Sequence, residues 1–357
     1  MIKKVELEIT SDCNAACPGC ARTLNKELLQ INSFTLQDLQ RIFPADDYTG
    51  IEFKFCGVLG DPAIHTQFVD MVEYLIDNNA QVSVSTNGGV GTVNSWERLG
   101  KICQRAKDRM WIHFCIDGHS ETNHIYRVNT KFSVIQRNIE AFAKHAPANV
   151  GTWVFIVFDH NEYELDTAKS HAEQLGFNFA TRTGMRNSYQ DWVATIARKE
   201  NKKIVKEKKI ITTTKKEHSK VDVVKELDKF INDYKTKNVD KEKTQEIINT
   251  VVCKYIHESE IFIASDQTMW PCCFLWDSAF KNKEGIVDKL GKFEPNWNSL
   301  KHHSIQEIQQ HPWFQSLLAA SWNPEHPLHF SRCIRSCAKN KAYHNEIIFE
   351  PPTVSIV

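Results

Sequence analysis

Apolar, β-rich runs recur through the first half of the chain, at KVELEI, IEFKF, QVSVST, WIHFCI, TWVFIVF and FNFAT. Between them lie stretches with apolar residues at helical spacing: TLQDLQRIF, TQFVDMVEYLIDNN, NSWERLGKICQRA, FSVIQRNIEAFAKH and YELDTAKSHAEQL. Alternation of this kind predicts parallel βα units, because parallel neighbours need a crossover connection. Six units predict an α/β fold built as a partial (β/α)6 barrel, short of the eight strands of a closed one.

Strand alternation assigns faces. Glu6 and Glu8 share one face with Glu52 and Lys54, and Asp117 shares it with Cys115 and His113. The opposite face carries Val5, Leu7, Ile9, Phe53 and Phe55, which are expected to pack under helices. Charged positions inside a barrel suit a substrate cavity; they equally suit charges that pair with one another. The pattern changes after about residue 190. Ser219 with Asp222 makes a capping-box-like helix start, and Val221, Val224, Leu227, Phe230, Ile231 and Tyr234 follow at helical spacing. The expected organisation is a barrel over 1–190, a basic linker with helices over 191–250, a cysteine-rich region over 251–345 and an extended tail over 346–357.

Charge adds one feature. Lys+Arg and Asp+Glu both total 44, yet residues 198–220 hold ten Lys/Arg against three Glu. That run reads as a solvated linker or, alternatively, as the contact segment of a zinc-stabilised nucleic-acid-binding protein. No stretch approaches the roughly 18 apolar residues of a membrane span, and the opening MIKKVELEIT lacks a signal-peptide core. A cytoplasmic protein without membrane contact is the expectation. Its eleven cysteines then point to metal binding where they cluster and to plain burial where they do not. Burial is expected for Cys56, Cys103, Cys115 and possible for Cys273.

Cys13, Cys17 and Cys20 fall within eight positions of ITSDCNAACPGCARTL, directly after the first strand. Zinc sites close with four ligands, usually as two C-x2-C pairs. Here C-x3-C-x2-C offers three thiolates from one loop, which suits a cubane cluster with one iron left open.

In this context the loop resembles that of the radical S-adenosylmethionine (SAM) superfamily, and later motifs follow in order. CGVLGDP resembles the family's GGEP-type motif, with Gly60, Asp61 and Pro62 in the place of G-E-P; its backbone is implied to receive the methionine ammonium. VSVSTNGG places Ser85, Thr86 and Asn87 towards the ribose or methionine part. FCIDGHSETNHIYR implies Asp117 at the ribose hydroxyls and Arg127 at the SAM carboxylate. WVFIVFDHNEYE puts the backbone near Ile156 and Val157 against adenine. Two departures stand out: Asp61 replaces the motif Glu, and Gly19 stands where a bulky residue often covers adenine.

CKYIHESEIFIASDQTMWPCC resembles the opening of the SPASM/twitch extension, with Gln267 in the place of its glycine. Cys253, Cys272, Cys333 and Cys337 are implied ligands of a second, auxiliary [4Fe–4S] cluster, with Cys273 able to replace Cys272; a four-cysteine structural zinc site is the lesser alternative. The resemblance implies an enzyme of oxidoreductase or transferase type that cleaves SAM reductively and abstracts hydrogen from a peptide, protein or small molecule. It also implies a low-potential electron donor such as flavodoxin or ferredoxin. No acid–base residue is singled out.

Overall fold

The computed structural model describes residues 2–182, 241–282, 285–338 and 348–349. Six parallel strands run in sequence order: β1 (Lys4–Leu7), β2 (Glu52–Phe55), β3 (Gln81–Thr86), β4 (Met110–Cys115), β5 (Gly151–Ile156) and β6 (Asn178–Arg182). The helices between them are α1 (Leu36–Ile42), α2 (Phe68–Asp77), α3 (Val93–Ala106), α4 (Phe132–Ala143) and α5 (Leu165–Gln174). All six predicted strands and all five predicted helices form.

Period-two burial shows why these segments are strands. Along β2, Phe53 and Phe55 are buried while Glu52 and Lys54 are only half-buried. The core lies between the sheet's outer face and the helices. Val5, Leu7, Phe53, Phe55, Val84, Ile112 and Phe114 are buried there, and α2, α3 and α4 contribute Leu75, Leu99 and Phe142. Each such side chain contributes about 1.5–3 kcal/mol of hydrophobic stabilisation. Helix starts are fixed locally: Thr35 caps α1 reciprocally with Asp38, and Thr92 caps α3 with Ser95.

The charged inner face is largely self-paired. Lys4 bridges to Glu52 and Lys54 to Glu6, each at 3.0 Å. Cys56 is half-buried on this face, not an apolar core residue, and its thiol donates to Glu6 Oε1 at 3.0 Å. Cys115 is likewise only half-buried, whereas Cys103 is buried as expected.

Three further strands were not foreseen. β7 (Glu260–Ile263) adds in parallel to the free side of β1, in register from Lys4↔Glu260 to Leu7↔Ile263. A turn through Gln267 leads from it to the short β8 (Met269–Trp270). At the other edge β9 (Ile348–Phe349), inside the expected tail, pairs antiparallel with β6. The described residues group into two compact units. The first holds everything to 182 with 260–269 and 348–349; the second holds 241–259 and 270–338. Residues 260–269, expected within the 251–345 region, therefore group with the barrel.

The second unit is helical, with Lys241–Asn249, Lys254–Glu258, Cys273–Phe280, Ile286–Leu290, Ile305–Gln310 and Ser331–Cys337 as its main pieces. Among the described residues no helix is long and apolar enough to cross a membrane. The basic segment 198–220, the Ser219–Asp222 cap with its apolar repeat to Tyr234, and the final residues 350–357 lie outside the described residues.

Candidate functional site

The loop after β1 bends back on itself. The Cys20 amide donates to the Cys17 carbonyl, the Ala15 amide donates to Cys13 Sγ at 3.4 Å, and the Asp12 carboxylate accepts from the Cys13 amide. Arg22 closes the loop from behind, with an ion pair to Asp12 at 3.1 Å and a bond to the Ser11 carbonyl. The three thiols lie on one apolar cluster of Ala15, Cys17, Tyr126, Ile156 and Phe158. Burial pushes the Cys13 thiol up to about 12 and raises that of Cys17 despite the opposing charge of Arg127, so both favour the protonated thiol. Soft thiols held together in a dry setting fit an iron–sulfur cluster, whose iron would supply the charge that turns them into thiolates.

The loop after β2 packs onto this one. The Asp61 amide donates to the Asp12 carbonyl at 2.8 Å. A Cβ on Gly60 would lie 1.8 Å from the Thr10 carbonyl oxygen, so only glycine permits that approach. Glu8, fully buried, accepts from the amides of Leu59 at 2.6 Å and Gly60 at 3.3 Å and so ties the loop to β1. Asp61 is buried too. Its carboxylate takes the Thr86 hydroxyl at 2.7 Å, the Asn87 amide at 2.7 Å and the Ala63 amide at 3.0 Å, and Pro62 begins the short turn that follows.

From β3, Thr86 is used up in supporting Asp61, while Ser85 is half-buried and in register with His113. Asn87 reaches the cysteine loop. Its amide nitrogen donates to Asn14 Oδ1 at 2.9 Å and to Cys13 Sγ at 3.8 Å. From β4, Asp117 is wholly buried; one oxygen accepts from Arg127 Nε and the other from the Ile156 amide, both at 2.7 Å. Arg127 in turn donates to Cys17 Sγ at 3.8 Å. Burial works against the Arg127 charge, yet Asp117 beside it raises its pKa well above the usual value. The two residues assigned separately to ribose and carboxylate thus form one buried ion pair against the cysteine loop. Asp117 reads here first as the group that holds Arg127.

In the second unit, Cys253, Cys272, Cys333 and Cys337 are all buried and line one small pocket with Lys254 and Arg332. Burial pushes the Cys272 thiol up to about 12 and that of Cys337 to about 11. Cys273, the alternative ligand, does not line that pocket; it opens the helix Cys273–Phe280. Gln267 adopts φ 69°, the left-handed conformation natural to glycine, with its amide donating to the Ala264 carbonyl. Among the described residues no group of three or more His, Cys, Asp or Glu is gathered tightly enough for a single metal ion.

No protein-family model matches the chain. A stretch of 92 residues is 32% identical to the S-adenosylmethionine-dependent nucleotide dehydratase of Selenomonas ruminantium, covering 25% of this chain and 31% of that protein. Another comparison gives 27% identity over 101 residues with the tungsten-containing aldehyde ferredoxin oxidoreductase cofactor-modifying protein of Pyrococcus furiosus, 28% of each chain. The matches thus span less than a third of either relative. Over these 92 residues the chain is similar to an enzyme named for its dependence on S-adenosylmethionine. Among solved structures, Streptococcus suis SuiB bound to S-adenosylmethionine superposes with TM-score 0.49 at 12% identity, over 83% of this chain and 66% of that one. BtrN in complex with AdoMet and 2-DOIA gives TM-score 0.44 at 12% identity, over 98% and 99%.

Several residues around the cysteine loop carried no sequence signal of their own. Asn161 is fully buried and donates to the carbonyls of Asp117 and Ile156, tying β4 to β5. Asn14 takes a bond from Asn87, Arg22 bonds Ser11 and Asp12, and Glu8, read from the sequence only as an inner-face charge, ties the loop after β2 to β1. Tyr126 and Phe158, ring centroids 4.6 Å apart, set an aromatic surface beside Cys17 and Ile156. Cys13 and Cys20 pack against the same surface.

Proposed function

We propose that this chain is a radical SAM enzyme acting on a peptide, a protein or a small molecule, with Cys13, Cys17 and Cys20 as ligands of a [4Fe–4S] cluster. The observation that carries the reading is a loop of three cysteines with Arg127 reaching Cys17, Asn87 reaching Cys13 and Gly60 packed on the backbone at Thr10 and Asp12. Cys13, Cys17 and Cys20 would hold the cluster, which together with SAM and one electron from a low-potential donor would supply radical chemistry that takes hydrogen from a bound substrate. The chain's residues set the stage for that. Arg127 brings positive charge to Cys17 and to an incoming carboxylate, and Asp117 fixes its position. Asp61 locks the β2 and β3 loop ends together, leaving the backbone at Gly60 in reach of an ammonium group. Tyr126, Ile156 and Phe158 exclude water from the cysteine side.

In the same reading, Cys253, Cys272, Cys333 and Cys337 hold an auxiliary [4Fe–4S] cluster in a twitch-like region, for net oxidation or rearrangement. The shared pocket and the positive charge of Lys254 and Arg332 support it, since a cubane with four thiolates is anionic. Anaerobic reconstitution followed by SAM and dithionite tests the proposal. The wild type should form 5′-deoxyadenosine and methionine; no product above background from a brown, iron-loaded preparation would reject it.

A further inference from the structure

Each other cation considered on the barrel's inner face already has a carboxylate: Lys4 has Glu52, Lys54 has Glu6 and Arg127 has Asp117. Arg182, at the end of β6, is different. Among the described residues it forms no ion pair, and its Nε is buried with no hydrogen-bond acceptor. A buried guanidinium N–H left without an acceptor is costly, so such a group is kept where something will meet it. Register places it. Arg182 is the β6 partner of Ile156, and parallel partners present their side chains to the same face. Ile156 packs against Cys17, and its amide is bound by Asp117, so Asp117, Ile156 and Arg182 form one rung beside the cysteine loop. The guanidinium is close enough to act electrostatically on His113, Cys115 and Asp117.

We propose that Arg182 is the receptor for an anionic group of the substrate, a carboxylate or a phosphate, presented on the inner face one strand away from Ile156. The proposal deepens the radical SAM reading by naming the substrate's charge. A guanidinium suits the task because its planar fork grips either oxyanion through two N–H donors. The half-buried setting of Arg182 leaves part of the side chain accessible while shielding the pair from bulk water.

Anaerobic calorimetry on SAM-saturated, reconstituted protein tests this with succinate, its neutral counterpart succinamide and inorganic phosphate as probes. Wild type should bind succinate or phosphate in the millimolar range and succinamide not at all; the tighter of the two anions names the group. Arg182→Gln should weaken that binding by about tenfold or more, and Arg182→Lys by less. Arg105→Gln, on the outer surface with its side chain 52% exposed, serves as the control and should bind the anion as wild type does. Absorbance of the clusters and thermal melting show whether each variant has folded. Equal anion binding by wild type and Arg182→Gln, or equal binding of succinamide, would overturn the proposal. So would a loss of SAM affinity in Arg182→Gln with succinate binding intact, which would assign the guanidinium to SAM. Failure of the wild type to make 5′-deoxyadenosine sinks the enzymatic reading separately, since anion binding is measurable without turnover.

Discussion

The two cysteine sets are assembled by opposite routes, and only Cys17 of the first is buried whereas all four of the second are. Cys13, Cys17 and Cys20 come from one short loop, and residues from β2, β3 and β4 converge on it: Gly60, Asn87, Arg127. Cys253, Cys272, Cys333 and Cys337 are collected from separated parts of the chain into a pocket bordered by Lys254 and Arg332. Three ligands leave an iron of a cubane open to chemistry, whereas four close it. In the proposed reading, the first set therefore carries the catalysis and the second a supporting role.

Removing the sets one at a time gives the largest effects. Cys13→Ala/Cys17→Ala/Cys20→Ala should abolish 5′-deoxyadenosine formation and leave about four of the expected eight irons per chain, four per cubane. Cys333→Ala/Cys337→Ala should remove the other half of the iron. Four irons plus one zinc in the wild type, by elemental analysis, would reject the second cluster and leave the first untouched.

The arginines sharpen the contrast. Arg127→Ala strands the wholly buried Asp117 carboxylate, and loss of one partner from a buried pair costs about 3–5 kcal/mol. Arg332, a third exposed and 3.9 Å from Asp277, should cost under about 1 kcal/mol when changed to Ala. Urea denaturation of the two apo variants measures both; equal losses would mean that the Asp117–Arg127 pair is no special support of the first site.

How much of this was open to reading in the sequence follows from range. The six strands and five helices are encoded by local periodicity, and the Cys13 loop by spacing within one turn, so both were legible. Gly60 was legible as a motif, and the structure supplies the reason in its approach to Thr10. β7 was not legible, because EIFI carries no mark of a partner more than 250 residues earlier. The same holds for the pairing of Asp117 with Arg127, which a linear motif presents as two separate ligands, and for Glu8 beneath the Gly60 loop. Arg182 ends a strand like many surface arginines; only the register with Ile156 distinguishes it.

Glu8 provides a pH handle on the first site alone. Burial raises its carboxyl from 4.5 to about 7, so the folded protein favours the protonated acid. Its contribution to stability is then largest below pH 4.5, declines as pH rises towards about 7 and is flat above, a change on the order of 3 kcal/mol. Glu8→Gln should remove that decline; a variant whose stability falls over pH 4.5–7 as steeply as the wild type's would contradict the assignment.

The smallest effect lies at the turn between Cys253 and Cys272. Gln267→Gly relieves a left-handed backbone, worth about 1 kcal/mol, but gives up the side chain's bond from Arg41. The net change in thermal stability should stay within about 1 kcal/mol, and a large loss would show that the Arg41 bond dominates.

Electron paramagnetic resonance of the reduced, reconstituted protein, with and without SAM, tests the central contrast most directly. The account predicts two cubane signals, of which SAM shifts one, and that responsive signal should be missing from Cys13→Ala/Cys17→Ala/Cys20→Ala. A SAM-induced shift that survives in the triple variant, or no shift in the wild type, would contradict it.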